Sequence, residues 1–153
     1  MKHLWDYQVN DSLPIREWCP TDLQIRQYAE ASGDFNPIHL DEVFARKAGL
    51  DGIIAHGMLT MAQLEALLTD WMGEEGTLKS FEVRFKNMVH VGEQIIFSGC
   101  IKNSLSNAVK CDLMVTKATG EEVLTGSAVV TFNQNPASRP RIALEEIILR
   151  HDA

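Results

Sequence analysis

Apolar positions recur with two different periods along this chain, and the change of period separates a helical half from a strand half. From Gly57 to Met72 apolar residues cover well over half of the helical circumference, which predicts one long helix enclosed by other structure. From Phe81 to Phe132 apolar and polar residues alternate in four runs separated by short turns. Four consecutive strands of this kind predict an antiparallel meander.

Capping residues and breakers place the other elements. The segment from Tyr7 to Cys19 carries several apolar residues and is interrupted by a proline. It predicts one imperfect strand that joins the meander as a fifth. Thr21 begins a capping-box pattern, so we expect a helix that runs to about Ser32. Short helices are also predicted over Asp41 to Ala48 and over Ile142 to Leu149.

These elements predict an α+β architecture, in which an antiparallel sheet of about five strands wraps around one long apolar helix. A chain of 153 residues is large enough for one such domain. We expect it to span residues 1–153, with residues 133–153 as a C-terminal extension. Because a single-layer sheet leaves unpaired edges, we also expect a homodimer.

Composition and charge exclude several classes of function. The formal net charge is −7 and no basic stripe offsets it, which argues against nucleic acid as a partner. No apolar run reaches the length of a membrane span. The three cysteines are widely spaced and the first residues contain no apolar leader, so we expect a cytoplasmic protein with free thiols.

Asp34, Asn36 and His39 form a dense polar cluster directly before an apolar run. Asp34 and His39 are five positions apart, and a turn fixed by Asn36 and Pro37 can bring their side chains together. An imidazole beside a carboxylate is a general acid/base pair suited to neutral pH, and it can activate a water. The alternative is that Asp34 caps the next segment and His39 is an ordinary hydrogen-bonded histidine.

His56 and Gly57 open the long helix and form the second candidate group. At a helix N-terminus the Gly57 N–H lacks an intrahelical partner and can stabilise a developing enolate oxygen, although a glycine there can also serve a tight turn or close packing alone. For His56 we prefer a structural role, orienting the loop or capping the helix. Metal binding through Asp34, His39, Asp41 and His56 is possible in residue type, but no ligand spacing fits and we predict no metal.

Two motifs resemble those of a known family. SGDFNPIHLD, at residues 32–41, and GIIAHGML, at residues 52–59, resemble the signature of the MaoC-like dehydratases, the (R)-specific or type-2 enoyl-CoA hydratases. The longer GLDGIIAHGMLTM is similar to the dehydratase subunits of fatty-acid elongation systems. The resemblance covers about Thr21 to Phe132 and implies the hot-dog fold, a long helix wrapped by an antiparallel sheet, usually as a homodimer.

The resemblance also implies an activity, with residues in named roles. Asp34 and His39 would hold the water that adds reversibly across a trans-2-enoyl thioester, giving an (R)-3-hydroxyacyl thioester. The Gly57 N–H would bind the thioester carbonyl, Asn36 would brace the loop, and His56 would border the substrate. The acyl group would be carried by coenzyme A or acyl carrier protein, and no metal or redox cofactor would be needed.

The position of the acyl tail and two alternative functions stay open at the level of sequence. We expect the acyl tail to lie along the long helix near Met58, Met61 and Leu64, although these residues can equally be core. Some hydratases of this type have a serine about two turns beyond the His-Gly pair, where this chain has Glu65 and its neighbours. A hot-dog thioesterase would use Glu65 as its acid, and a non-catalytic subunit of a heterodimeric dehydratase would commonly lack the Asp/His pair that this chain keeps.

Overall fold

One long helix lies against a five-stranded antiparallel sheet in the computed structural model, which describes residues 2–133. The helices are α1 (Asp22–Ser32), α2 (Glu42–Lys47) and α3 (Gly57–Met72), and single 3-10 turns cover Leu4–Asp6, Pro37–His39 and Gly73–Glu75. The strands are β1 (Arg16–Trp18), β2 (Gly76–Phe85), β3 (Ile95–Ser104), β4 (Ala108–Lys117) and β5 (Glu122–Phe132). The predicted terminal helix over Ile142 to Leu149 lies outside the described residues.

The helix boundaries follow the local signals in the sequence. At the start of α1 the Thr21 hydroxyl accepts from the Gln24 N–H at 3.1 Å, and the Gln24 side chain accepts from the Thr21 N–H at 3.2 Å. Gly33 ends α1 in the left-handed conformation with φ of 77°. The predicted capping box is therefore confirmed. The predicted extent of the long helix is confirmed as well, because α3 runs from Gly57 to Met72.

The order of strands is β1-β3-β4-β5-β2, so the predicted four-strand meander is wrong for β2. Strands β3, β4 and β5 are consecutive neighbours, but β2 pairs with β5 at the far edge of the sheet. Residues 86–94 between β2 and β3 are a crossing segment and not a turn. Their backbone binds the chain that leads into α3, since the Ala55 N–H donates to the Val89 carbonyl at 2.8 Å and the Val91 N–H donates to the Ile53 carbonyl at 3.2 Å.

The first strand does join the sheet as a fifth strand, but it is shorter than predicted. Only Arg16–Trp18 forms a regular ladder with β3, and upstream of it Ser12 makes a single bridge to Cys100. Pro14 lies between these two contacts and has no N–H to donate, so it interrupts the ladder.

Helix α3 is enclosed on one side only. Leu64 and Leu68 are fully buried in the core against the sheet, whereas Met58 is 57% exposed and Met61 is half-buried. The expectation of complete enclosure is therefore wrong, because β2 is the last strand of the sheet and nothing in the described chain covers α3 beyond it. Among residues 2–133, no helix is both long and apolar enough to cross a bilayer.

Candidate active site

The loop after α1 holds its shape by bonding its side chains to its own backbone. The Asn36 N–H donates to Asp34 Oδ1 at 3.2 Å, and the Ile38 N–H donates to Asn36 Oδ1 at 3.3 Å. These two Asx turns lead into the 3-10 turn that carries His39. Asn36 therefore braces the loop, and Asp34 also has a local capping role through one of its two carboxylate oxygens.

His39 is fixed in one tautomer by a buried hydrogen bond. Its Nδ1 lies 2.7 Å from the Ile54 carbonyl oxygen, which can only accept, so Nδ1 carries the proton and Nε2 keeps a free lone pair. The side chain is 7% exposed, and this burial lowers the pKa of His39 below its ordinary value of 6.5. The carbonyl of Ile54 opposes that shift, nearby His56 adds to it, and Asp34 weakly opposes it. At neutral pH the imidazole is an uncharged base.

His56 connects three parts of the site. Its Nε2 donates to the backbone carbonyl of Asp34 at 3.0 Å, and its ring stacks on His39 with 3.8 Å between ring centroids. The ring of Tyr28 from α1 also packs against the His56 ring at an angle, with 4.8 Å between centroids. It is also the N-cap residue of α3, although its side chain makes no capping bond. These contacts fit the structural role preferred for His56, because they tie the loop to the start of α3.

The structure brings Asp34, His39 and His56 together. One carboxylate oxygen of Asp34 and one ring nitrogen of each histidine lie within 4.8 Å of one another. The side chains of Asp34 and His39 make no direct hydrogen bond with each other in the described chain. A gap of this size lets one water bridge the two groups, which is the geometry that water activation by the pair requires.

The same cluster bears on metal binding. It is the one group of His, Cys, Asp and Glu side chains with suitable spacing within residues 2–133. Asp41, whose carboxylate caps α2, is not part of it. Imidazole lone pairs lie in the ring planes, and the planes of His39 and His56 are inclined by only 25°. Two nearly parallel stacked rings do not direct their lone pairs to one nearby point, so joint coordination of an ion is disfavoured.

Gly57 is the first residue of α3, and its N–H makes no hydrogen bond with another residue of the described chain. The partial positive charge of the helix N-terminus lies behind that donor. A Cβ at this position would lie 3.2 Å from Cε1 of Phe85, so one edge of the aromatic ring lies close to the glycine, which is itself exposed. The free donor fits an oxyanion role, and the close contact with Phe85 fits the packing alternative as well.

His39 and Gly57 line the same cavity, whose volume is about 300 Å³. Its other walls are mostly apolar and come from the residues before α3, from α3 and β5, and from the end of β2 with the start of the crossing segment. That last wall, which includes Phe85 and Met88, was not predicted from the sequence. No local motif marks these residues, because only the crossing of residues 86–94 brings them to the site.

Met58 and Met61 do not line this cavity. They border a separate groove of about 420 Å³ between α3 and β2, together with Glu65 and Tyr28. Leu64, the third residue expected along the acyl tail, is fully buried core. The structure therefore separates the predicted acyl-chain residues Met58 and Met61 from the cavity that His39 and Gly57 share.

Residues 7–125 match the family model for the MaoC like domain. The chain belongs to the MaoC-like domain family. Among its relatives, the 3-hydroxybutyryl-CoA dehydratase of Methylorubrum extorquens is 30% identical over 115 residues, which are 74% of this chain and 73% of that protein. The resemblance to this family predicted from the two motifs is thus confirmed.

Other MaoC-like similarities are partial in length or show the fold alone. The fatty acid synthase β subunit pkiC of Emericella nidulans is 36% identical over 109 residues, which are 67% of this chain but only 6% of that protein. The solved R-hydratase PhaJ1 of Pseudomonas aeruginosa superposes with a TM-score of 0.78 over 91% of this chain and 94% of that one, at 24% identity. The predicted hot-dog fold is confirmed for this MaoC-like chain.

Proposed function

We propose that this MaoC-like protein catalyses the reversible hydration of a trans-2-enoyl thioester to an (R)-3-hydroxyacyl thioester. The observation that carries the proposal is the neutral His39, with its Nε2 lone pair free and the Asp34 carboxylate close by. The same histidine shares a cavity with the unpaired N–H of Gly57. The similarity to a 3-hydroxybutyryl-CoA dehydratase supports this reaction class.

In the proposed mechanism a water bridges Asp34 and His39. His39 Nε2 takes a proton from the water while the water oxygen forms a bond to C3 of the enoyl group. The electron pair of the C2–C3 double bond shifts toward the thioester oxygen, where the Gly57 N–H and the dipole of α3 stabilise the enolate. The pair then returns the proton to C2, so the elements of one water are added and no other reactant is consumed.

The direct test is to incubate the purified protein with trans-2-butenoyl-CoA. We expect the absorbance of the enoyl thioester to fall, with (R)-3-hydroxybutyryl-CoA as the product on chiral chromatography. A thioesterase would instead release free coenzyme A, which a thiol reagent detects in the same sample. A non-catalytic subunit would give neither signal, and either of these results would overturn the proposal.

The structure favours hydration over the two alternatives. Glu65, the acid that a thioesterase would use, lines the groove between α3 and β2, which contains neither His39 nor Gly57. A subunit that only supplies walls would not need the Asp34–His39 pair, which this chain keeps. We propose coenzyme A or acyl carrier protein as the carrier, in a reducing cytoplasm where Cys19, Cys100 and Cys111 stay as free thiols.

We further propose that two copies of this chain form a homodimer through β2 and α3. Strand β2 is a ten-residue edge strand. In the groove beside it, along α3, Met58 is exposed and Phe81 is half-buried. An unpaired edge next to an apolar groove is the surface that a second identical edge can cover.

We expect light scattering to give about twice the 17.1 kDa chain mass. Met58→Asp should shift the protein toward monomer, because it places a charge in the groove. Met114→Asp, on the outer side of β4 and 39% exposed, is the matched control and should stay dimeric. A wild-type protein that remains monomeric at micromolar concentration would contradict this assembly.

A further inference from the structure

Thr60 carries a buried hydroxyl that the fold does not use. It lies one helical turn beyond Gly57 on the same face of α3, is 2% exposed, and lines the cavity that contains His39. Its hydroxyl makes no hydrogen bond within residues 2–133, whereas Thr69 of the same helix donates to the Glu65 carbonyl at 3.0 Å. The Thr60 side chain therefore departs from the usual way in which a helical threonine satisfies its hydroxyl.

The Thr60 hydroxyl also stays accessible from the cavity. In the described chain, four side chains have a polar atom that is sealed from solvent and has no hydrogen-bond partner. Thr60 is not one of them. At the mouth of the cavity, by contrast, Lys86 Nζ donates to Glu122 Oε2 at 2.6 Å and Asn87 Nδ2 donates to the Glu122 carbonyl at 2.7 Å. On the buried side of the cavity, the hydroxyl of Thr60 is left for a ligand.

The position of Thr60 decides which end of a thioester reaches it. The mouth is bordered by Phe85 and Met88, which are 48% and 55% exposed, whereas Val89 and Val123 on the inner walls are almost completely buried. The carrier arm continues into a nucleotide or a protein and must leave through the mouth. The buried side of the cavity, where Thr60 lies, is therefore the side that receives the acyl chain.

We propose that Thr60 is a specificity-determining residue that hydrogen-bonds an oxygen on the acyl chain of the substrate. This inference rests on the proposed hydration and names its substrate class, a short enoyl thioester with a hydroxyl or carbonyl oxygen. Helical residues three apart lie roughly 5–6 Å apart, and an extended chain advances slightly more than 1 Å per bond. The oxygen is thus expected about four bonds beyond the thioester carbonyl carbon.

The physical basis is the cost of covering a buried hydroxyl. A purely hydrocarbon chain would exclude water from Thr60 without offering it a partner, and leaving one such group unpaired costs roughly tenfold or more in affinity. A chain with an oxygen at that point replaces the lost water contact and avoids the penalty. A site with an unpaired polar group therefore selects against the hydrocarbon analogue.

The test compares two substrates that differ only in a hydroxyl and a methyl group, trans-4-hydroxy-2-butenoyl-CoA and trans-2-pentenoyl-CoA. The measured quantity is the ratio of their kcat/KM values. Thr60→Val, which keeps the shape and removes the hydroxyl, should change this ratio about tenfold or more in favour of the pentenoyl substrate. Thr60→Ser should keep the wild-type ratio, as should Thr69→Val, the control for loss of a threonine from α3.

Other outcomes would reject either the role of Thr60 or the hydration reaction. An unchanged ratio in Thr60→Val rejects the role of Thr60, and an equal loss for both substrates would assign its hydroxyl to the carrier arm, which also rejects it. If the wild-type protein hydrates neither substrate, calorimetric binding of 4-hydroxybutyryl-CoA and pentanoyl-CoA separates the two proposals. A preference for the hydroxylated ligand that Thr60→Val abolishes supports the role of Thr60 and rejects only hydration, and no preference rejects Thr60.

Discussion

Replacing either member of the acid/base pair, as Asp34→Asn or as His39→Ala, is expected to lower kcat for hydration of trans-2-butenoyl-CoA about 10²–10⁴-fold. His39→Ala removes the free lone pair that accepts the proton. Asp34→Asn keeps the turn, because an amide oxygen can still accept from the Asn36 N–H, but it removes the negative charge that orients the water and stabilises the imidazolium. Steady-state kinetics by enoyl absorbance measure both losses.

Asp41→Asn is the matched control, since Asp41 lies two residues beyond His39 but only caps α2. It should retain near-wild-type kcat. Thermal unfolding of all three variants checks that the fold is intact. A correctly folded Asp34→Asn or His39→Ala protein with near-normal hydration would show that the pair does not perform the chemistry.

The pH dependence separates proton transfer from a positioning role. Hydration needs neutral His39, and burial lowers the pKa of this imidazole below 6.5. The kcat/KM of the wild type is therefore expected to be level around pH 7 and to fall only as the pH drops below that lowered pKa. Asp34 raises the pKa of His39, so in Asp34→Asn the residual activity should begin to fall at a still lower pH. If the acidic limb of the pH profile lies at the same pH in Asp34→Asn as in the wild type, Asp34 and His39 do not interact.

Short-range signals made much of the fold predictable. The capping residue Thr21, the left-handed Gly33 and the His56-Gly57 pair set the ends of α1 and α3, and each acts within one or two turns of chain. The closeness of Asp34 to His39 could be predicted for the same reason, because five residues and a proline-containing turn determine it.

Features that depend on distant segments could not be predicted in this way. The order of the sheet depends on residues 86–94, which cross to pair with the backbone of Ile53 and Ala55 and have no sequence pattern of their own. The tautomer of His39 likewise depends on the carbonyl of Ile54, fifteen residues away along the chain.

The separation of Met58 and Met61 from the cavity of His39 has a geometric reason. Successive helical residues turn by about 100° around the axis, so Gly57 and Met58 face different spaces although they are adjacent in sequence. Gly57 and Thr60 share the cavity with His39, and Met58 and Met61 share the groove beside β2. The three-residue repeat was visible in the sequence, but which set faces the site depends on how the helix is rotated in the fold.

Gly57→Pro is expected to lower kcat about 10²–10³-fold, because it removes one backbone donor to the enolate oxygen. Proline is well suited to the first position of a helix, and His56 already has φ of −58° and ψ of 135°, a conformation allowed before proline. The substitution therefore removes the N–H of Gly57 while α3 can still begin at the same residue. The measurement is kcat with trans-2-butenoyl-CoA, alongside the unfolding temperature.

Gly57→Ala isolates the contribution of that donor. Alanine adds the same Cβ 3.2 Å from Phe85 Cε1 but keeps the N–H. The crowded atom is the far end of a side chain that is 48% exposed, so it can move aside. We expect Gly57→Ala to retain most of kcat and Gly57→Pro to lose it. Equal losses in the two variants would mean that Gly57 is required for its packing against Phe85, and the oxyanion role would be wrong.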